Sequence, residues 1–202
     1  MSATAAPAAS DRSDFRTVTL GGAKLGVLTA VAVVLFLAVS RFVPATGGVR
    51  GGIEALIVLA AGVAASFLPA QWAAARQVEG IAGAAAMGLV GTVVFMAIDI
   101  VVLRPFQAYP WTWDAIGGGS TWWYLPIWWM LGTLLAWIGG IITARGGEAT
   151  LARRALPAVV GALVLVTIAR LAGLGFVLPF VTGVAYTLVL AVLAVVALAR
   201  KG

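Results

Sequence analysis

The chain has 202 residues, of which 62% are hydrophobic and only 10% charged, with a net charge of +6 and a mean hydropathy of +1.08. A soluble domain is about 45–50% apolar and about 25% charged, so this composition leaves too little polar surface to cover a water-soluble core and calls for lipid as the solvent. Cysteine and histidine are both absent, which excludes disulfides, thiolate nucleophiles, sulfur-ligated metals and the side chain that most often serves as metal ligand or general base.

On the same grounds no cofactor and no bound metal is expected, and a haem protein with histidine axial ligands is excluded. The positive charge does not form a nucleic-acid patch. Its arginines and lysines stand singly or in pairs between apolar runs, a pattern that reports membrane topology.

Residues 1–18 read as a disordered polar tail, opening with the small and proline-bearing MSATAAPAASDRSDF. The apolar run that follows is too long for a secretory signal and lacks a small-residue cleavage pattern. Crossing a bilayer core of about 30 Å at 1.5 Å per residue takes about 20 apolar residues. Residues 19–202 supply six such spans in a single domain, at about 20–40, 53–70, 81–103, 122–143, 157–174 and 177–198. The last two come from one apolar stretch split into a hairpin at Gly173, Gly175 and Pro179. Pro157 and Pro179 are each expected in a first helical turn, where the missing N–H costs little. The fold class is therefore all-α, a compact bundle of six transmembrane helices with both termini cytoplasmic.

That orientation places nine cations inside (Arg12, Arg16, Lys24, Arg76, Arg145, Arg153, Arg154, Arg200, Lys201) against three outside (Arg41, Arg50, Arg104). The expected location is the plasma membrane, with the connector 107–121 on the outer side.

This connector and the start of the next span carry Trp111, Trp113, Trp122, Trp123, Trp128 and Trp129, six of the chain's eight tryptophans. An indole is apolar yet keeps an N–H in need of a partner, so it favours the headgroup level. The simplest reading is an outer aromatic belt. The sharper alternative is a recognition site in which Asp114, beside Trp111 and Trp113, holds a cationic or aromatic ligand. Trp128 and Trp129 point in different directions on a helix, so at most one faces lipid and the other packs on a neighbour.

Small residues recur every four positions, as in Gly22/Gly26, Gly80/Ala84/Gly88, Gly132/Ala136/Gly140 and Ala169/Gly173. Lipid tails are as apolar as leucine, so close backbone approach is what brings helices together. The third and fourth spans carry the longest runs and are expected to pack tightly.

The informative ionisable residues within spans are Asp99 and Arg170. Each lies about 6–7 Å below the outer end of its helix at 1.5 Å per residue, and both helices run outward. They are candidates for an ion pair joining the third and fifth spans, with Glu54, Thr167, Thr182 and Tyr186 in the same outer half. The alternative is that Arg170 snorkels to the headgroups.

No Walker-type phosphate loop, G-x-S-x-G elbow or H-E-x-x-H motif occurs, and no catalytic set of residues stands out. The expected role is a non-enzymatic membrane subunit or scaffold whose partners are the lipid bilayer and either further copies of itself or a larger membrane complex, with no nucleic acid. The alternative is a small solute-binding or transport protein with a polar site in the outer half. An intramembrane enzyme acting on lipid would need converging acidic groups that the spacing does not supply.

Overall fold

The computed structural model describes residues 12–103, 124–146 and 149–200. Among them all regular structure is helical, in six long helices: α1 Phe15–Phe42, α2 Val49–Trp72, α3 Val78–Ile98, α4 Tyr124–Arg145, α5 Leu151–Leu171 and α6 Leu178–Ala199. A π-helical turn, Asp99–Leu103, continues α3. Five of these helices, α1, α2, α3, α5 and α6, are long and apolar enough to cross a membrane. α4 matches them in length, at 22 residues, and carries three tryptophans and three glycines.

The helix starts depart furthest from the expectation in α1 and α5, for one reason. α1 begins at Phe15 and not beyond residue 18, because the Asp14 side chain accepts a hydrogen bond from the Thr17 N–H and caps the first turn. The segment before it is also held, since the Arg12 N–H donates to the Ala73 carbonyl at 2.8 Å. α5 begins at Leu151, capped by Thr150, so Pro157 lies inside the helix and not in its first turn. An apolar window finds the part of a helix that lipid or protein covers. The helix itself runs on through polar residues until a cap ends it.

The break between α5 and α6 falls where glycine and proline placed it. Gly173 adopts φ +74°. Its N–H donates to the Arg170 carbonyl and the Leu174 N–H to the Ala169 carbonyl, the paired bonds of a Schellman stop. Pro179 stands in the first turn of α6.

α2 is the centre of the bundle and packs against all five other long helices. Around it the order is α1, α3, α4, α6, α5, each packing on the next. α1 and α5 close the two ends of this arc.

Side chains are distributed the opposite way from a soluble bundle. α1 turns Gly21, Gly22, Leu25, Gly26 and Ala30 inward, while Leu20, Val27, Leu28, Val31, Val34 and Leu35 are exposed. α3 likewise buries Gly80, Gly83, Ala84, Gly88 and Gly91. Small residues inside and branched aliphatics outside suit a protein solvated by lipid.

The glycine stripes are where backbones meet. A Cβ at Gly26 would stand 2.7 Å from the Gly91 carbonyl oxygen, across the α1–α3 contact. A Cβ at Gly88 would strike the Gly132 carbonyl oxygen, across α3–α4. The third and fourth helices thus pack closely through the residues whose spacing pointed to them.

Candidate functional site

The clearest polar contact between helices joins α1 to α2 at the end of the bundle where the Thr46–Gly48 turn connects them. Ser40 near the end of α1 donates its hydroxyl to Glu54 Oε1 at 2.5 Å, and Arg50, one turn before Glu54, donates Nε–H to the same oxygen at 2.9 Å. Glu54 is buried, at 7% exposure. A carboxylate there is costly unless paired and hydrogen-bonded. Both conditions are met, one partner coming from each helix. The chain turns back through Gly47 and Gly48, both at positive φ, which brings Ser40 and Glu54 together across 14 positions. This is a clamp between α1 and α2.

Asp99 and Arg170 are not brought together. Asp99 is buried at the start of the π-helical turn that extends α3. Arg170 is exposed in the last turn of α5. α3 and α5 form no substantial contact, lying on opposite sides of the central α2 in the order given above. Counting along the chain put the two residues at equal depth, but two helices at equal depth need not be neighbours.

The hydroxyls expected beside them are also used locally. Thr167 and Thr182 donate to the carbonyls of Leu163 and Leu178 one turn earlier, each at 2.9 Å. Tyr186, only 2% exposed, reaches across from α6 to α2, where its hydroxyl donates to Ser66 Oγ at 3.2 Å. Ser66 passes its own proton to the Gly62 carbonyl at 2.8 Å. The described bonds of Glu54, Thr167 and Tyr186 thus belong to three separate contacts. Sequence reasoning missed Ser40 and Ser66, whose only signal is a hydroxyl placed on a face that must meet another helix.

Of the tryptophan-rich stretch, Trp111, Trp113, Asp114, Trp122 and Trp123 lie outside the described residues. Trp128 packs against Phe95 of α3, ring centroids 6.2 Å apart and planes tilted by 58°. Trp129 is 38% exposed and turns its Nε1–H to Met96 Sδ at 3.1 Å. One indole packs on a neighbouring helix and the other meets the surroundings, as their adjacent positions require.

At the opposite end of the bundle from the Ser40–Glu54 clamp is a cleft of about 580 Å³. It lies where α2 and α4 end and α5 begins. Its walls are largely alanine, and its polar groups are Gln71, Arg76, Thr143, Thr150 and Arg154. Thr143 is 6% exposed, and its hydroxyl has no hydrogen-bond partner among the described residues. Thr150 both lines the cleft and caps α5, accepting from the Arg153 N–H. Arg76 and Arg154 entered the sequence reading only as markers of the inner side. The cleft joins two separate connections, and no spacing in the sequence announces that.

Among the described residues no group of three Asp, Glu, His or Cys converges as a metal site. Comparison with protein-family models, with curated proteins and with solved structures finds no match for this chain. What stands is a class: an all-helical bundle whose apolar helices fit a membrane location.

Proposed function

We propose that this chain is a non-enzymatic plasma-membrane component, a multi-pass subunit or scaffold that crosses the bilayer six times with both termini in the cytosol. The observation that carries this reading is the use made of the polar groups in the outer half. Glu54, the buried acid with the best-defined partners, is committed to Ser40 and Arg50, and the hydroxyls of Thr167 and Thr182 are committed to their own helices. Groups arranged in this way hold helices together and leave little to grip a solute. The small-residue stripes of α1, α3 and α4 serve the same end.

The orientation is supported by the nine-to-three distribution of cations. It puts the tryptophan-rich connector on the outer face and the arginine-bearing cleft on the cytosolic one. Since the chain has no cysteine, single cysteines introduced at Ser120 and at Ala149 report it directly. The first should react with an impermeant maleimide added to intact cells, and the second only after lysis. The reverse pattern defeats the orientation.

The functional reading is tested by gentle extraction followed by mass determination of the intact particle. Self-association or a co-purifying membrane partner is expected. A stable, partner-free monomer under those conditions argues against a subunit role. The solute-binding alternative needs Asp99 and Arg170 on one cavity wall, and the order of helices around α2 gives it no support.

A further inference from the structure

Trp137 stands where a lipid-facing tryptophan is poorly served. It lies thirteen residues after Tyr124 and eight before Arg145 in α4, so about 12 Å from the nearer end of the helix at 1.5 Å per residue. Indole favours the headgroup level because its N–H needs a partner. Here the side chain is 47% exposed near the middle of the span, and its Nε1–H makes no hydrogen bond among the described residues. Trp129, two turns earlier, is also exposed but gives its N–H to Met96 Sδ. Lipid tails offer no acceptor, and a polar group left unsatisfied in hydrocarbon is costly.

An acceptor lies one turn away on the same face. Thr133, four residues before Trp137, is half-buried, and its hydroxyl also makes no hydrogen bond among the described residues. Thr29, Thr92, Thr167, Thr182 and Thr187 instead donate to the carbonyl one turn back. Met130 at 71% exposure and Leu134 at 38% complete a stripe at positions 130, 133, 134 and 137. This is the spacing of a helix face that packs against another element.

We propose that this face of α4 is covered by the same face of a second copy, each Trp137 Nε1–H donating to the Thr133 hydroxyl across the contact. Two copies inserted in the same orientation are related by a twofold axis along the membrane normal, so their α4 helices run parallel and equal depths meet. A helical side chain leans over the turn before it, which carries the Trp137 indole to the level of Thr133. A twofold contact joins donor to acceptor in both directions, so the N–H of each copy is satisfied at once. The occupant is a second copy because this one face supplies both halves of the bond it needs. Tryptophan is also the side chain most often found anchoring an interface. The inference rests on the reading above that α4 spans the bilayer in a self-associating subunit, and it names the surface involved.

The chain has no cysteine, so Leu134→Cys and Leu163→Cys report contact between copies when membranes holding the full chain are oxidised. Leu163 is exposed, at 50%, but it lies on α5, and α6 stands between α5 and α4 in the order around α2. Leu134→Cys should give a product of twice the chain's mass and Leu163→Cys none. In liposomes the dissociation constant of the dimer is read from the fraction of paired copies as the protein is diluted in lipid. Trp137→Phe keeps an aromatic ring and removes the N–H. It should raise that constant about three- to tenfold, the effect of losing two interhelical hydrogen bonds in a bilayer. Thr133→Val should match it, and the double variant should be no weaker than either single, since all three break the same bonds.

No described hydrogen bond within one copy is lost in these variants, so the diluted monomer should melt level with the wild type, which shows the fold intact. The proposal is overturned if Leu134→Cys gives no dimer or is captured by a different protein, or if Trp137→Phe leaves the dissociation constant unchanged. Pairing through Leu163→Cys alone would overturn it and leave the subunit role standing. Absence of any pairing or partner would defeat both.

Discussion

Gly139 and Gly140 are adjacent in α4, and replacing each with alanine should move stability in opposite directions. A Cβ at Gly139 would collide with the backbone of Ser66 in α2, standing 2.5 Å from its carbonyl carbon and 3.1 Å from its Cα. Non-bonded carbons prefer about 3.5–4.0 Å. The obstacle is backbone and cannot rotate away, so α4 must withdraw from α2 by roughly 1 Å, at which about a quarter to a half of each contact's attraction is lost. Over the tens of atom pairs in that seam, at about 0.1–0.2 kcal/mol each, the loss is roughly 2–3 kcal/mol. Alanine's better helix propensity returns about 0.5–1 kcal/mol. The net expectation for Gly139→Ala is a destabilisation of about 1–2 kcal/mol.

A Cβ at Gly140 meets only Ile81 at 3.4 Å and Ala84 at 3.5 Å, which is ordinary contact with α3. Gly140→Ala therefore keeps the propensity gain of about 0.5–1 kcal/mol with no opposing term. For a chain of this size 1 kcal/mol corresponds to about 2–4 °C in melting temperature. Thermal melts in one detergent should place Gly139→Ala about 2–8 °C below the wild type and Gly140→Ala level with it or slightly above. Equal shifts for the two variants, or a rise for Gly139→Ala, would refute the α2–α4 contact on which the bundle's centre depends.

Three other outcomes follow from the polar contacts. In a double-mutant cycle, Ser40→Ala and Glu54→Gln should couple by about 0.5–2 kcal/mol, read from melts of the two single variants and the double; strict additivity would remove the α1–α2 clamp. Arg170→Gln should change stability by less than about 0.5 kcal/mol, since Arg170 is exposed on a helix remote from Asp99; a loss of several degrees would restore the ion pair that the fold separates. The carboxyl of Asp14 is held below its ordinary value of 3.8, first by the Thr17 hydroxyl and then by the Thr17 N–H. Its folded-state pKa is thus the lower one, and the cap contributes above the ordinary aspartate range and is lost as pH falls through the folded value. Amide exchange in the first turn of α1 should accordingly separate Asp14→Ala from the wild type at neutral pH and cease to do so at the acid end. A difference that persists unchanged into acid would show that the carboxylate is not the cap.

How much of this was legible in the sequence depends on what each signal measures. Hydropathy measures the covered length of a helix, and the α5–α6 break falls at Gly173 and Pro179, where backbone chemistry requires it. It missed the true starts of α1 and α5 because caps such as Asp14 and Thr150 are polar and lie outside any apolar window. Small-residue spacing measures how closely a face can be approached, and Gly88 and Gly132 do meet across α3 and α4.

The order of helices around the bundle was not legible, because no count along the chain gives an azimuth. That single unknown decides the candidate site. Had α5 packed beside α3, Asp99 and Arg170 would have formed a pair inside the membrane. With α2 between them, Arg170 turns outward, and the buried acid with a described ion pair is Glu54, held by a serine from the preceding helix. The same unknown hid the cleft, whose two arginines come from connections 78 positions apart, Arg76 and Arg154. Read along the chain they are two topology markers; read around the bundle they are two walls of one cavity.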